Sequence, residues 1–238
     1  MCINFRPPPP ELLNAVLGVL VDLYKDWDWP GETWKDYPAP IIRANADGQR
    51  EAVLATYGMV PRKCIPPGVK VFDTMNARAE SIGEKRSFSS AWRKAQLCAV
   101  PMMSFYEPGY ESGKAERFGI GMQDDALFSV AGLWREWSMP DGEVATSFTQ
   151  LTINADDHPL MKRFHKPGEE KRSLVILPNE DLDDWLTCRE PELARSFLRP
   201  YPAEAMKAWL APAPPRKKKP VPQEQEPEAP PPVTGSLF

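Results

Sequence analysis

The second residue of the chain is a cysteine, and its position gives it a chemistry that internal cysteines lack. When the residue after the initiator Met1 is small, the methionine is normally removed, so Cys2 becomes the first residue. Its α-amine then lies beside its thiol, and terminal α-amines are partly neutral at pH 7. Such an aminothiol condenses with an aldehyde: the amine forms a Schiff base and the thiolate closes a five-membered thiazolidine. A terminal cysteine can also be the nucleophile that cleaves an amide. Cys2 is therefore a candidate for aldehyde capture or for amide cleavage, and a cysteine without a chemical role is the ordinary interpretation.

Two further segments carry polar groups suited to catalysis or anion binding. Asn76 and Arg78 lie two apart in an extended stretch, so their side chains share a face and together can hold an oxyanion, a phosphate or a carboxylate. Glu107 follows Phe105 and Tyr106 at the end of an apolar run, an environment that raises the pKa of a carboxyl and suits a general acid/base. The ordinary interpretations are a solvated loop and an edge glutamate at a turn.

The chain has 2 histidines, so an acid/base histidine must be one of them. His165 is the better candidate because its basic and aromatic neighbours suit an anionic substrate. His158 lies among Asp156, Asp157 and Pro159. Simple solvation at the surface is the ordinary interpretation of either histidine.

Composition excludes several classes of protein. The net charge of −4 over 238 residues excludes nucleic-acid binding by bulk positive charge, so any such site is a local basic patch. No apolar run approaches the roughly 20 residues of a membrane span, and the stretch Leu12–Leu23 lacks the flanks of a signal peptide. The 4 cysteines form no CxxC pair. We therefore expect free thiols, no metal site, no cofactor, and a cytoplasmic protein.

The elements that position these residues are mainly strands. The spacing of apolar residues predicts a helix over Glu11–Lys25 and a short one over Ser87–Gln96. Runs rich in Phe, Val, Ile and Thr, separated by turn residues, predict strands at residues 41–45, 51–57, 97–106, 116–122, 127–134, 147–154 and 173–177. Asn179 caps a helix ending near Leu186, and two short helices follow before Ala211. The sequence predicts an α+β fold: a single domain on a largely antiparallel, barrel-like sheet with flanking helices.

The order of these motifs resembles that of the SOS response-associated peptidase (SRAP) family, the abasic-site processing proteins. The resemblance is carried by Met1-Cys2, by Gly58-Met59-Val60-Pro61, by Asn76-Ala77-Arg78-Ala79-Glu80, by Phe105-Tyr106-Glu107, and by His165 ahead of Leu174-Val175-Ile176-Leu177-Pro178. It spans most of residues 1–187, and the motifs at residues 76–80 and 105–107 are specific in combination with Cys2.

The resemblance implies that the protein captures abasic sites in single-stranded DNA through a thiazolidine at Cys2. It implies that Asn76 lies beside the trapped sugar, that Glu107 is the acid/base, and that His165 is the active-site histidine. Schiff-base chemistry implies lyase activity as a side route. The peptidase name of the family fits autoproteolytic removal of Met1, and removal by an ordinary aminopeptidase is the alternative. The resemblance implies that Arg78 and Arg86 meet phosphates. We expect the DNA to lie along a basic strip that also includes Arg93, Lys94, Lys162, Arg163 and Lys166, with Tyr57 as an aromatic contact for a base.

Several positions depart from the family pattern, whereas the nucleophile, asparagine, glutamate and histidine are all retained. Asn4 stands where an arginine is usual, Lys63 where a tryptophan is expected, and Pro108 where a tryptophan follows the glutamate. Tyr57 replaces a stacking tryptophan. The segment after His165 is rewritten as Lys166-Pro167, followed by a short insertion over residues 168–172.

Proline reaches 28 of 238 residues, partly because of a biased C-terminal segment. Between Pro212 and Pro232 no aromatic or long aliphatic residue occurs, so we predict a domain over 1–211 and a disordered tail over 212–238. The terminal Leu237 and Phe238 resemble peptides that dock in the bacterial sliding clamp, without their usual leading glutamine; a terminus with no partner is the alternative.

Two other functions remain as alternatives, and the protein is expected to be a monomer. One is an N-terminal-nucleophile cysteine amidohydrolase or peptidase, which would use Cys2 and need no basic strip. The other is a non-enzymatic, replication-associated scaffold that acts through its tail.

Overall fold

Strands make up most of the folded chain, as the runs of β-branched and aromatic residues predict. The computed structural model describes residues 3–19 and 27–213. The strands are Asn4–Arg6 (β1), Thr33–Trp34 (β2), Pro38–Ala44 (β3), Arg50–Tyr57 (β4), Asn76–Arg78 (β5), Leu97–Met102 (β6), Ser104–Gly109 (β7), Glu116–Met122 (β8), Phe128–Ser138 (β9), Val144–Asn154 (β10), Arg172–Leu174 (β11), Ile176–Leu177 (β12) and Met206–Leu210 (β13). The α-helices are Pro10–Leu17 (α1), Ser89–Arg93 (α2), Leu182–Thr187 (α3) and Pro191–Ala194 (α4). Single 3₁₀ turns occupy Arg62–Cys64, Ala79–Ser81, Met161–Arg163, Asn179–Asp181, Arg195–Phe197 and Ala203–Ala205.

Five strands close into a barrel in the order β10-β4-β3-β6-β9, with β9 pairing back onto β10. The β4–β10 contact is parallel and the other four are antiparallel. Gly132 of β9 lies opposite Gln150. A Cβ atom at this glycine would stand 2.7 Å from the carbonyl oxygen of Thr149. The barrel therefore closes between β9 and β10 only because residue 132 is a glycine.

A second, antiparallel sheet has the order β13-β8-β7-β1-β2. The chain passes from the barrel into this sheet at Met103, whose backbone amide donates to the carbonyl of Arg6 at 2.8 Å. In β7, Phe105 and Glu107 are buried on one face, while Tyr106 and Pro108 are half-buried on the other. The sheet thus turns the Glu107 side chain towards the interior.

The barrel wall separates two apolar clusters. Alternate residues of β6 join different clusters, with Leu97 and Ala99 in one and Cys98 and Val100 in the other. The first cluster packs the barrel against the helices through large side chains that include Trp92 and Trp185, and the second packs it against the second sheet through Phe5, Phe105, Phe148 and Phe164. The second cluster is therefore the one that supports Glu107.

The α+β fold class and its largely antiparallel, barrel-like sheet confirm the sequence prediction. The strand Glu116–Met122 has the predicted bounds. The run 97–106 was predicted as one strand, which is wrong, because β6 pairs in the barrel and β7 in the second sheet. The run 173–177 is also divided, at Val175, whose amide donates to Leu151 and whose carbonyl accepts from Ala131.

The predicted helices needed more correction than the strands. The helix over Glu11–Lys25 is wrong in its length, because α1 ends at Leu17, where Gly18 adopts a φ of 65° and caps the helix. The last described segment contains β13 as well as short helical turns, because Met206–Leu210 completes the edge of the second sheet. Among residues 3–19 and 27–213, no helix is both long and apolar enough to cross a membrane.

Some predictions concern residues outside the described ranges. Cys2 is one of them, and so are Leu237 and Phe238 with the tail from Pro214 onward. The division into a domain over 1–211 and a tail over 212–238 stays a prediction.

Candidate active site

The amino-terminal strand brings the start of the chain to Glu107. β1 lies between β2 and β7, with Phe5 opposite Phe105 and Arg6 opposite Ser104. Because this pairing is antiparallel, the chain ahead of Phe5 runs towards the Glu107 end of β7. A mainly apolar cavity of about 230 Å³ at this point is lined by Ile3, Asn4, Trp34, Tyr106, Glu107, Pro108, Ala115, Glu116 and Arg117.

Glu107 and His165 form a buried pair. Their side chains are 3% and 6% exposed, and the distance from Glu107 Oε2 to His165 Nε2 is 3.4 Å. The sequence predicted both residues as catalytic, and the fold brings them together although they are far apart along the chain. A carboxyl and an imidazole at this distance can exchange a proton with each other or with a substrate atom between them.

His165 is held against β7 by its own backbone. Its amide donates to the carbonyl of Pro108 at 2.9 Å, and the preceding Phe164 forms a bridge with Gly109. The Lys171 ammonium donates to the carbonyls of His165 and Lys166 at 3.1 and 3.0 Å. His165 has a φ of 66°, a left-handed conformation that is uncommon for a residue other than glycine. Such backbone geometry persists only where the surroundings enforce it.

Burial shifts the pKa values of the pair in opposite directions. It raises the pKa of the Glu107 carboxyl to about 7, against the smaller opposing effect of the positive amino terminus. It lowers the pKa of His165 to about 4, and the amino terminus, Lys171 and Arg172 add to this lowering. At neutral pH the imidazole is therefore uncharged, and the carboxyl is present in both protonation states.

Asn76 connects to the amino-terminal strand through a chain of packed residues. In β5 it lies opposite Gln150 of β10, and the Gln150 side chain accepts a hydrogen bond from the Tyr57 hydroxyl at 3.1 Å. The Tyr57 ring stacks on Phe148 and meets Phe5 edge-on, with centroid distances of 5.2 and 5.3 Å. Tyr57 is fully buried, so its ring offers no face to a DNA base and the predicted contact is not supported at this position.

The basic residues predicted to contact DNA are spread over several elements. Arg78, Arg86, Arg93, Lys94, Lys162, Arg163 and Lys166 are all exposed. Lys166 directly follows the buried His165, so it lies beside the candidate site. Two of the arginines are already engaged, because Arg78 pairs with Glu170 at 2.6 Å and Arg163 binds both carboxylate oxygens of Glu111.

His158 has a structural position, and its interpretation as a solvated surface residue is wrong. It is 6% exposed. Its Nδ1 atom accepts the backbone amides of Leu160 and Met161 at 3.2 and 3.1 Å, which leaves Nε2 to donate to the carbonyl of Tyr201 at 2.9 Å. Both ring nitrogens are thus used in holding the segment before His165.

Sequence reasoning missed Arg117 and Glu32, which bind each other beside the site. Arg117 donates to Glu32 Oε2 at 2.8 Å and lies 3.4 Å from the centroid of the Tyr106 ring. The same Glu32 oxygen accepts from Asn4 Nδ2 at 2.9 Å. No local pattern marks these residues, because they meet only through the pairing of β2 with β1, of β1 with β7 and of β7 with β8. Within the described ranges, no group of His, Cys, Asp and Glu is arranged to hold a metal ion.

Comparison with known proteins identifies one family. The model of the SOS response associated peptidase (SRAP) family matches residues 30–212. The abasic site processing protein YoqW of Bacillus subtilis is 32% identical over 152 residues, which cover 61% of this chain and 64% of YoqW. The chain thus spans less than two thirds of that relative. The abasic site processing protein HMCES of Rattus norvegicus is 27% identical over 127 residues, covering 42% of this chain and 36% of HMCES.

Solved structures share the fold. A crystal structure of a protein from Bordetella bronchiseptica has a TM-score of 0.77 and 34% identity, and the match covers 89% of this chain and all of that one. A protein from Bacteroides thetaiotaomicron has a TM-score of 0.70 at 23% identity, covering 88% of this chain and 91% of that one, and this second match bears on the fold alone.

Proposed function

Because the chain belongs to the SOS response associated peptidase (SRAP) family, we propose that it captures abasic sites in single-stranded DNA through a thiazolidine at Cys2. In this proposal, Met1 is removed first, and the α-amine and thiol of Cys2 then react with the aldehyde of the ring-opened deoxyribose. The relatives named abasic site processing proteins support the substrate class.

The observation that carries the proposal is the buried Glu107–His165 pair beside the start of β1. Ile3 and Glu107 line the same cavity. Consecutive Cα atoms lie about 3.8 Å apart across a trans peptide bond, so the Cα atom of Cys2 is within one such step of Ile3. An acid/base pair beside the strand that directly follows Cys2 in the chain supports covalent chemistry at this cavity.

The reaction needs proton transfers that the pair can serve. Opening the deoxyribose ring exposes the C1′ aldehyde, and the α-amine adds to it to give a carbinolamine. Protonation of the carbinolamine oxygen by Glu107 lets water leave and forms the protonated imine. The Cys2 thiol gives its proton to the Glu107 carboxylate, and the thiolate bonds to the imine carbon, whose nitrogen keeps its proton in the neutral thiazolidine. One water molecule is released overall, and the neutral His165 accepts the C1′ hydroxyl proton during ring opening and returns it to the ring oxygen.

The remaining site residues would hold the DNA. Asn76, which lies on β5 next to the packed chain Gln150–Tyr57–Phe5, would bind the sugar hydroxyl. Arg78, Arg86 and Lys166 would neutralise phosphates. On a body of net negative charge, such contacts give weak, salt-sensitive binding away from an abasic site.

Two further activities belong to the same proposal. The imine stage allows β-elimination at C3′, which gives lyase activity as a side route. Removal of Met1 is either autoproteolytic or the work of an ordinary aminopeptidase, and the peptidase name of the family supports the first.

Intact mass measurement after incubation with an abasic single-stranded oligonucleotide tests the proposal. The wild-type protein should lose Met1 and gain the oligonucleotide mass less one water, in an adduct stable to heat without borohydride. Cys2→Ala should give no such adduct, while Cys64→Ala, which removes a half-buried thiol elsewhere, should behave as wild type. A stable adduct from Cys2→Ala would exclude the thiazolidine.

The Cys2→Ala variant also separates the two alternative functions from the proposed one. An N-terminal-nucleophile amidohydrolase would cleave amide substrates in a Cys2-dependent way and leave the oligonucleotide free. A scaffold acting through its tail would keep its cellular function in Cys2→Ala and lose it when residues 212–238 are deleted.

A further inference from the structure

Two arginines and two glutamates form a cluster, and one of the arginines is the predicted DNA contact Arg78. Arg172 donates to both oxygens of Glu80 at 2.9 Å and to Glu170 Oε1 at 2.8 Å. Arg78 Nη1 donates to the other oxygen of the same carboxylate, Glu170 Oε2, at 2.6 Å. Glu170 therefore bridges the two arginines.

The bridge is anchored on one side and open on the other. The Arg172 side chain is 3% exposed and also donates to the Thr152 carbonyl at 2.7 Å, whereas the Arg78 side chain is 50% exposed. Asn154 Nδ2 donates to Glu170 Oε1 at 3.2 Å. Glu170 is thus fixed from the interior side, and the pair that can open is the one with Arg78.

The carboxylate is charged when it meets Arg78. Hydrogen bonding from Arg172 holds the pKa of Glu170 below its usual range. Two carboxylates then balance two guanidinium groups, and the positive charge of Arg78 is compensated within the protein. A DNA phosphate that binds Arg78 therefore meets a guanidinium whose charge Glu170 already compensates, and it competes with Glu170 Oε2 for that group.

We propose that Glu170 competes with DNA phosphate for Arg78 and so sets the affinity of the protein for undamaged single-stranded DNA. This inference rests on the proposed function for its assignment of Arg78 as a phosphate contact. Glu170 lies in the segment over residues 168–172 that departs from the family pattern, so the competition is a property of this chain. Holding non-specific affinity low leaves the covalent step at Cys2 to provide the selection for abasic sites.

The expected size of the effect follows from the exposure of the pair. An exposed ion pair contributes at most modestly, so its removal should strengthen phosphate binding by about two- to fivefold. Freeing one additional phosphate contact should also steepen the salt dependence, with the slope of log affinity against log salt changing by about 0.7 for single-stranded DNA.

The test is a fluorescence-anisotropy titration of an intact, unmodified single-stranded oligonucleotide at several salt concentrations. The variant is Glu170→Gln, whose amide oxygen can still accept from Arg172 and Asn154. The matched control is Glu169→Gln, which makes the same change of charge at the exposed neighbouring residue. Arg78→Ala and Arg78→Ala/Glu170→Gln complete a double-mutant cycle, with circular dichroism verifying the fold of each protein.

We expect Glu170→Gln to bind about two- to fivefold more tightly than Glu169→Gln, and this gain to vanish in the Arg78→Ala background. Equal affinities for the two glutamine variants, a gain that persists without Arg78, weaker binding by Glu170→Gln, or no binding by any of the proteins would overturn the inference. Because the oligonucleotide has no abasic site, these outcomes are independent of adduct formation. Failure of the proposed chemistry would appear separately, as no adduct between the wild-type protein and an abasic oligonucleotide.

Discussion

The Nε2 atom of His165 lies 3.4 Å from the Oε2 atom of Glu107, and the backbone amide of the same histidine is hydrogen-bonded to the next residue of the glutamate's strand, Pro108. The imidazole is therefore fixed to β7 by main chain as well as by packing. Burial favours the neutral form of both groups, which leaves a proton donor and a proton acceptor side by side near pH 7.

Glu107→Gln should slow adduct formation while leaving the affinity for DNA nearly unchanged. The amide cannot supply a proton, and loss of a general acid typically costs about 100-fold or more in rate. The measurement is the single-turnover rate of adduct formation with saturating abasic oligonucleotide between pH 5 and 9. The wild-type rate should fall as the pH rises through about 7, where Glu107 loses its proton, and the variant should lack this inflection. An unchanged profile in the variant would assign the acid to another group.

The same substitution should raise the free energy of unfolding at alkaline pH. The pKa of Glu107 is raised from 4.5 to about 7 on folding, so its protonation stabilises the folded state at low pH, and this contribution is lost between about pH 4.5 and 7. Chemical denaturation at pH 5 and pH 8.5 should show that the wild-type protein loses up to roughly 3 kcal/mol more than Glu107→Gln over this range. The lowered pKa of His165 favours folding as the pH rises and is present in both proteins, so it cancels in this difference. A loss of the same size in both proteins would contradict this origin.

His165→Asn should fold and yet form adducts at least about tenfold more slowly. Asparagine tolerates the left-handed conformation that His165 adopts better than most residues do, so the loop should persist. The β-branched His165→Val provides the contrast, since it should lower stability at the same position. The measurements are the adduct formation rate and the melting temperature. Wild-type rates in His165→Asn would remove the histidine from the mechanism.

His158→Ala should destabilise the protein without changing the chemistry of its folded fraction. The substitution leaves the amides of Leu160 and Met161 and the carbonyl of Tyr201 without their partner, at a cost of about 2–4 kcal/mol. His158→Asn keeps an acceptor near the Nδ1 position and should lose less. The measurement is denaturant unfolding together with adduct formation at low temperature. If His158→Ala slowed adduct formation while remaining fully folded, the two histidines would have exchanged the roles assigned here.

The C-terminal residues should bind the bacterial sliding clamp with micromolar or weaker affinity, since Leu237 and Phe238 are few anchors. A labelled peptide of residues 228–238 titrated with the clamp measures this, and Leu237→Ala/Phe238→Ala is the control. Equal binding by the control peptide, or none at high micromolar clamp, would remove the clamp as a partner and leave the abasic-site chemistry untouched.

The predictable part of the fold is the part that local patterns encode. Glu116–Met122 is bounded by turn residues on both sides, so its strand has the predicted ends. The continuous apolar run over 97–106 hides a change of sheet at Met103, because its residues are apolar on both sides of the change and only their distant partners differ. Strand β13 is short and follows a proline-rich stretch, and it exists because β8 offers it an edge.

The candidate site shows the same division. Residue type and family resemblance predicted Glu107 and His165, but not the role of His158, whose Nε2 atom binds the carbonyl of Tyr201 in a remote segment. Tyr57 was predicted to contact DNA because the family has a tryptophan there, and burial under Phe5 and Phe148 gives it a packing role instead. The Arg78–Glu170 pair is likewise invisible locally, because it joins β5 to a loop far along the chain.

The pairing of β1 with β7 can form only after β7 has been synthesised. β1 leaves the ribosome before Ser104–Gly109, which follows about 100 residues later, after about 5–20 s at a usual rate of translation. His165 emerges later still. During that interval the residues ahead of β1 are accessible to the enzymes that trim nascent chains, and no acid/base pair is present beside them. The Glu107–His165 pair is therefore assembled only after the residues ahead of β1 have been accessible to such enzymes.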